Sequence, residues 1–236
     1  MTIFAASGAK PAIDEICREF EQRFGVGVTI NYGGGGEVLS RMILAKTGDV
    51  YIAPEQRFMD TAKEKQAVYP DTIKSVAYMI PVIAVLKGNP KQITCLADLA
   101  RPGVRLAITR PESTLLGKYA PEIFDKAGLG EAIQSNIVTY ASDPNNLLAM
   151  LVTGQVDAGI LWHFYQNLAP EKIDIISLTW EQLTGIGEMQ IAVSAYSKDM
   201  ETAQRFIDFT ISDDGKALFK KNGYIIDSEE LKQYWQ

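Results

Sequence analysis

Two strings in this chain have the residue types and spacing of a serine acyl-transfer site. Ser7-Gly8-Ala9-Lys10 reads S-x-x-K, and Lys46-Thr47-Gly48 reads K-T-G. That chemistry needs the hydroxyl and the amine one helical turn apart on one face, so that the amine can take the proton. Pro11 follows Lys10 directly and biases it away from helical backbone, which would make the two side chains diverge. Lys46-Thr47-Gly48 ends a helical pattern, and no S-x-N stands between the strings, so a catalytic serine is not expected. G-x-x-x-x-G-K-[ST] is absent, and the glycine run lacks the G-x-G-x-x-G context with an acidic residue at the proper distance. His163 is the one histidine and Cys17 and Cys95 are the two cysteines, which excludes a His- or Cys-rich metal site. No carboxylate pair is spaced for glycosidase chemistry.

What remains is main-chain chemistry. Tyr32-Gly33-Gly34-Gly35-Gly36-Glu37 places four glycines between a strand-like run, Val28 to Tyr32, and a helix-like run through Val38, Leu39, Met42 and Ile43. Successive glycines bare the amides and allow the positive φ angles of an anion-binding nest. The helix that follows points its unpaired N–H groups into the same loop. Three more loop ends carry small or hydroxyl residues ahead of predicted helices: Ser7-Gly8, Ser113-Thr114 and Asp143-Pro144-Asn145. Neutral donors suit a fully ionised oxyanion, whose lone pairs accept every N–H or O–H and which has no proton of its own to place. Helix starts at such an edge are also common to α/β folds in general, so the chain's organisation decides what weight they carry.

That organisation is a repeated strand, loop and helix. Strand Thr2 to Ala6 leads to a helix carrying Ala12, Ile13, Ile16, Cys17, Phe20 and Phe24, with Pro11 at its first position. Strand Val28 to Tyr32 leads to helix Glu37 to Lys46, and strand Val50 to Ala53 to a helix through Phe58, Met59 and Ala62. Short loops in this order predict a parallel sheet with helices on both faces, and ligands gather beyond the carboxyl ends of such strands. Met79 to Leu86 reads as one apolar strand leaving the first lobe. The order then restarts with strand Arg105 to Ile108, helix Thr114 to Ala127, strand Ile137 to Tyr140, helix Asn145 to Thr153 and strand Ala158 to Leu161. Met189 to Val193 returns the chain to the first lobe, where two amphipathic helices close it. The predicted lobes are 1–79 with 193–236, and 80–192.

The 236 residues are 47% hydrophobic, enough to bury a substantial core, and the formal charge of −6 argues against a nucleic-acid surface or a polybasic membrane anchor. No run of about 18 apolar residues is present. Met1 leads straight into the first strand, which fits either a mature domain lacking its export segment or a short N-terminus. Cys17 and Cys95 read as packing residues, with a disulfide left open.

With these features the sequence resembles the periplasmic molybdate/tungstate-binding proteins of ABC importers. The residues that carry the resemblance are Phe4-Ala5-Ala6-Ser7, the small-residue loop before Glu37-Val38-Leu39-Ser40-Arg41, Asp49 to Asp60, Arg110-Pro111-Glu112, Gly117 to Ala120, Asp157 to Leu161 and Phe206 to Gly223. Of these, the segment Asp49 to Asp60 is individually specific. The resemblance implies an α/β, two-lobe periplasmic binding protein fold of type II with two crossover strands, closing on a tetrahedral oxyanion. It implies hydroxyl donors in lobe one, amide donors in lobe two and a tyrosine hydroxyl. In ungapped register the hydroxyl positions fall on Gly8 and Gly35, with Ser7 and Gly36 as immediate neighbours. The amide positions fall on Leu116 and Pro144; proline has no N–H, which shifts the donor to Asn145. The tyrosine position falls on Trp162, whose indole N–H donates but cannot accept.

The expectation is therefore a non-enzymatic, extracytoplasmic, monomeric solute-binding protein without a cofactor. It delivers molybdate or tungstate to an ABC permease and touches the membrane only through that permease or a removed anchor. Its rivals are a binding protein of the same fold for sulfate, phosphate or an organic acid, and the effector-sensing domain of a regulator.

Overall fold

The structure, a computed structural model, describes residues 1–232. The chain divides into two compact units: unit 1 is Met1–Tyr78 with Gly187–Asp227, and unit 2 is Met79–Ile186 with the segment beginning at Ser228. The sequence reading instead returned the chain at Val193 and kept the whole C-terminus in the first lobe.

In chain order the elements are β1 (Thr2–Ala6), α1 (Lys10–Phe24), β2 (Thr29–Gly33), α2 (Gly35–Ala45), β3 (Val50–Ala53), α3 (Gln56–Glu64) and β4 (Lys74–Met79). They continue with β5 (Pro81–Leu86), β6 (Leu106–Thr109), α4 (Leu115–Lys126), α5 (Gly130–Gln134), β7 (Ile137–Ala141), α6 (Pro144–Val152), β8 (Ala158–Trp162), α7 (Tyr165–Leu168) and β9 (Ile173–Ser177). Last come β10 (Gly187–Val193), α8 (Met200–Ile211), α9 (Asp213–Lys221) and α10 (Ser228–Lys232).

Unit 1 is built on a sheet of order β2-β1-β3-β10-β4. β1 runs parallel to β2 and β3, and β10 runs antiparallel to β3, so the sheet is mixed where a parallel one was expected. The reason is connectivity. β10 enters after the unit 2 segment, outside the strand–helix–strand crossovers that enforce parallel pairing. Alternation along the strands sends Phe4, Tyr51 and Ala53 into one core with Val38, Leu39 and Met42 of α2 and Met59 and Ala62 of α3. α1 buries Ala12, Ile13, Ile16, Cys17 and Phe20, and the Phe20 ring meets Phe206 of α8 edge-on at 5.1 Å between centroids. Gly25 ends α1 in the left-handed conformation, φ 69°, and its N–H donates to Glu21 O.

At the amino edge of this sheet Asp49 ties three segments together. Its carboxylate accepts from Thr2 N–H at 2.7 Å and from the Ser197 hydroxyl at 2.8 Å. Its own N–H donates to Thr2 O, and its carbonyl accepts from Ser194 N–H.

Unit 2 has the sheet order β7-β6-β8-β5-β9. β6 is parallel to β7 and β8, while β5 is antiparallel to both β8 and β9. The apolar run Met79 to Leu86, read as one crossing strand, is β5 from Pro81 onward, and Met79 instead ends a separate strand, β4. Proline cannot donate to a continuing ladder, so the break falls there. β4, β9, α5, α7 and α10 had no counterpart in the sequence reading. The cysteines are free; Cys17 is buried, and burial raises its thiol pKa to about 12, whereas Cys95 is exposed and not a packing residue.

Candidate functional site

In unit 1 the parallel strands β1, β2 and β3 end together, so the loops after Ala6, Gly33 and Ala53 share one edge. Gly34 has extended backbone (φ −62°, ψ 152°), and α2 begins at Gly35, two residues ahead of the predicted start. None of Gly33, Gly34, Gly35 or Gly36 takes a positive φ, which corrects the expected nest. The bare amides are instead those of a helix's first turn. Val38 N–H reaches Gly34 O at 2.9 Å, and the Gly35, Gly36 and Glu37 amides have no acceptor within the helix.

Two of the glycines have another side chain pressed against them. A Cβ on Gly33 would run into the guanidinium of Arg41, which crosses there to donate to Tyr32 O. A Cβ on Gly35 would run into the Phe58 ring. Gly8 and the exposed Ser7 lie in a single 3-10 turn, Ser7–Ala9, that feeds α1. Lys10 is helical (φ −48°, ψ −48°) despite the proline after it, a second correction. Its ammonium bonds Asp14 at 2.7 Å and lies over the Tyr32 ring, which holds it in the first turn and commits the amine.

The cations at this edge are each matched by an acid: Lys10 by Asp14, Arg41 by Glu37 at 3.8 Å, and Arg57 by Glu55 at 3.0 Å. Tyr32 donates to Asp14 at 2.7 Å; burial first and that bond second push its phenol well above the ordinary range. Glu37 also accepts from Gly34 N–H at 3.2 Å, an acid at the positive end of its own helix.

In unit 2 the parallel β6, β7 and β8 bring Thr109, Ala141 and Trp162 to one edge. Thr114 caps α4: its hydroxyl accepts from Gly117 N–H at 2.9 Å and bonds the Thr109 hydroxyl at 2.6 Å. Leu116 is 1% exposed, so its contribution to a ligand is limited to the main-chain N–H of the first turn. Asp143 caps α6 by accepting from Asn146 N–H at 2.9 Å. Pro144 has no N–H, and Asn145, exposed at the second helical position, is left with its amide unpaired inside the helix.

Trp162 is 3% exposed and meets the Tyr119 ring edge-on, centroids 6.5 Å apart. A phenol reaches α6 from three residues further on, where buried Tyr165 donates to Asn145 Oδ1 at 2.9 Å. Sequence reasoning missed Tyr165, although the aromatic cluster Trp162 to Tyr165 after a strand was a visible signal. His163, the one histidine, holds the residue between β4 and β5. Its Nδ1 accepts from Ile80 N–H at 3.1 Å, and its main-chain N–H donates to Ile80 O at 2.9 Å. Among the described residues no group of three or more His, Cys, Asp or Glu could hold a metal ion.

Two α/β units on mixed five-stranded sheets, with helix N-termini at the strand ends, define a periplasmic binding protein fold of type II. A family model for bacterial extracellular solute-binding proteins matches residues 1–225, and the chain belongs to that family. It is 27% identical over 223 residues to a Haemophilus influenzae protein assigned only as a binding protein, covering 94% of this chain and 89% of the other. It is 24% identical over 226 residues to the molybdate-binding protein ModA of Mycobacterium tuberculosis, covering 95% and 84%. Among solved structures it resembles the substrate-binding domain assigned to a molybdenum ABC transporter of Clostridium difficile (TM-score 0.81, 24% identity, 97% and 99% covered). It also resembles Campylobacter jejuni PEB3 bound to L-phospholactate (0.82, 19%, 96% and 100%) and the sulfate-binding protein SubI of M. tuberculosis (0.82, 19%, 99% and 88%). At these identities the structural likenesses carry the fold. The chain is a ModA-like solute-binding protein of the ABC-importer type, and its relatives are binding proteins.

Proposed function

We propose that this chain captures a small oxyanion on main-chain amides outside the cytoplasm and passes it to an ABC permease, without transforming it. The ligand read from the family resemblance is molybdate or tungstate. The observation that supports this reading is electrostatic. The first-turn amides of α2 lie bare beside cations that carboxylates already neutralise, so a dianion would be held by oriented dipoles and not by a free counter-charge. In unit 2 the amides of Leu116 and Asn145 are the corresponding donors, with the indole of Trp162 left as the family's tyrosine position. In unit 1 Ser7, Gly8, Gly35 and Gly36 are the proposed contacts.

A second reading is a phosphorylated or carboxylated organic acid. It is favoured by the absence of a side chain at Gly8 and Gly35, where the molybdate-type site would have hydroxyls, and by the L-phospholactate in PEB3.

Isothermal titration and thermal shift with molybdate, tungstate, sulfate, phosphate and L-phospholactate test both. A true ligand at about 100 times its Kd should stabilise the fold by about 2.7 kcal/mol, visible as a raised Tm. Heat and shift with molybdate or tungstate alone support the first reading, and with L-phospholactate alone the second. No heat with any of the five would overturn the oxyanion proposal.

A further inference from the structure

The last turn of α9 runs into the pair Asn222-Gly223, and the fold uses each residue for a different reason. Gly223 stands at φ 87°, a backbone conformation that a side chain would strain. Its N–H donates to Lys220 O at 2.9 Å, and Tyr224 N–H donates to Phe219 O at 3.1 Å. That is the double closure of a Schellman cap, and the Phe219 and Tyr224 rings meet across it edge-on at 5.6 Å. Asn222 supplies a donor instead. Its Nδ2 gives hydrogen bonds to Leu218 O at 2.9 Å and to Glu15 Oε2 on α1 at 3.3 Å. Lys221 Nζ meets the other oxygen of Glu15 at 2.9 Å, so one carboxylate ties α9 to α1 twice.

Together the two residues make a reactive pair. A glycine has no side chain to obstruct its main-chain nitrogen from attacking Cγ of the asparagine before it. The nitrogen loses its proton and forms the N–Cγ bond; the Cγ–Nδ2 bond breaks and ammonia leaves. Water then opens the succinimide at either carbonyl, which leaves aspartate or isoaspartate at position 222. In the folded chain every group in that sequence is committed. The attacking N–H is bonded to Lys220 O, and the leaving amide is bonded twice. Asn222 itself is held at φ −85° and ψ 10° as the end of the helix.

We infer that Asn222 is a deamidation site that the α9 cap holds shut, and that its product unfastens α9 from α1. The reaction waits on local opening of the cap, which frees the Gly223 nitrogen and the Asn222 amide together. The new carboxylate has no N–H to give to Leu218 O or Glu15. It also stands beside the Glu15 charge and at the negative end of α9. Because ammonia is lost, the cap does not recover its original bonds. The inference is independent of what the protein binds.

The test holds the full chain, folded or unfolded in guanidinium chloride, in warm and mildly alkaline buffer, with conversion at Asn222 followed by peptide mass mapping. Conversion should be at least tenfold slower in the folded chain. Glu15→Ala should speed it there and leave the unfolded rate unchanged. At neutral pH Asn222→Asp should melt below Asn222→Ala, because the first adds a charge where the second only removes a donor. Equal rates in the two states, or no conversion in the unfolded chain, overturn the gated site. A folded rate that Glu15→Ala leaves unchanged overturns the part given to the tie with α1. A Tm for Asn222→Asp at or above that of Asn222→Ala overturns the unfastening.

Discussion

In unit 1 the helix after the glycine run begins with no side chain in its first two positions, and its acid, Glu37, lies further along the first turn. In unit 2 Thr114 and Asp143 cap α4 and α6 with their own oxygens, and Tyr165 holds Asn145 from behind. Both edges leave helix amides bare, but they hold those amides differently. Unit 1 does so by omitting side chains so that Arg41 and Phe58 can cross the loop, and unit 2 by committing polar side chains to the helix ends. Sites made by omission are sensitive to what is added, and sites made by capping are sensitive to what is removed.

The largest effect should come from adding one carbon where backbone blocks it. In Gly117→Ala the new Cβ would lie 2.6 Å from Thr109 O and 2.5 Å from Arg110 C, and neither can yield without moving β6 or α4. A loss of about 3 kcal/mol is expected in urea melts, with amide exchange accelerated in unit 2. Removal comes next. Thr114→Ala takes the cap from Gly117 N–H and leaves the buried Thr109 hydroxyl without its 2.6 Å partner, a cost of about 2 kcal/mol that Thr114→Ser should largely avoid.

Acid should separate the units further. Asp98, Asp157, Asp174 and Glu181 of unit 2 are all held below the usual carboxylate range, against Asp199 in unit 1. For Asp157 burial opposes ionisation, and hydrogen bonds and charge from Arg105 outweigh it. A depressed folded pKa means stability that is full above the unfolded value, about 4, and is lost as pH falls through the folded one. Amide exchange and tryptophan emission followed below pH 4 should show unit 2 opening first, with Asp157→Asn flattening the dependence. The smallest effect sharpens the contrast from the other side. At Gly34 an added Cβ would find nothing nearer than 3.9 Å, and Gly34→Ala should stay within about 0.5 kcal/mol of wild type. A large loss there would mean that Gly34, and not only Gly33 and Gly35, is needed for packing.

The segment that made the family legible explains why the ligand was not. Asp49 to Asp60 carries the resemblance most specifically, and several of its residues serve the scaffold. Asp49 fastens β1 and β3 to the chain after β10, and Tyr51, Ala53 and Met59 fill the core. The site depends on residues far apart in sequence, such as Phe58 against Gly35 and Tyr165 against Asn145, and no periodicity announces such pairs. The glycine run was misread as a positive-φ nest, because a helix start at Gly35 bares amides without any positive φ.

The sequence alone determined much of the strand–helix order, which follows from local periodicity, capping and glycine placement, and its resemblance to a known family supplied the solute-binding class. Only the tertiary structure decided that the sheets are mixed, that His163 holds Ile80, that Trp162 is buried against Tyr119 while Tyr165 reaches α6, and that a ring fills the space at position 35. Each of those is a steric or hydrogen-bonding fact between residues the chain brings together only on folding, and local pattern carries no trace of which pairs will meet.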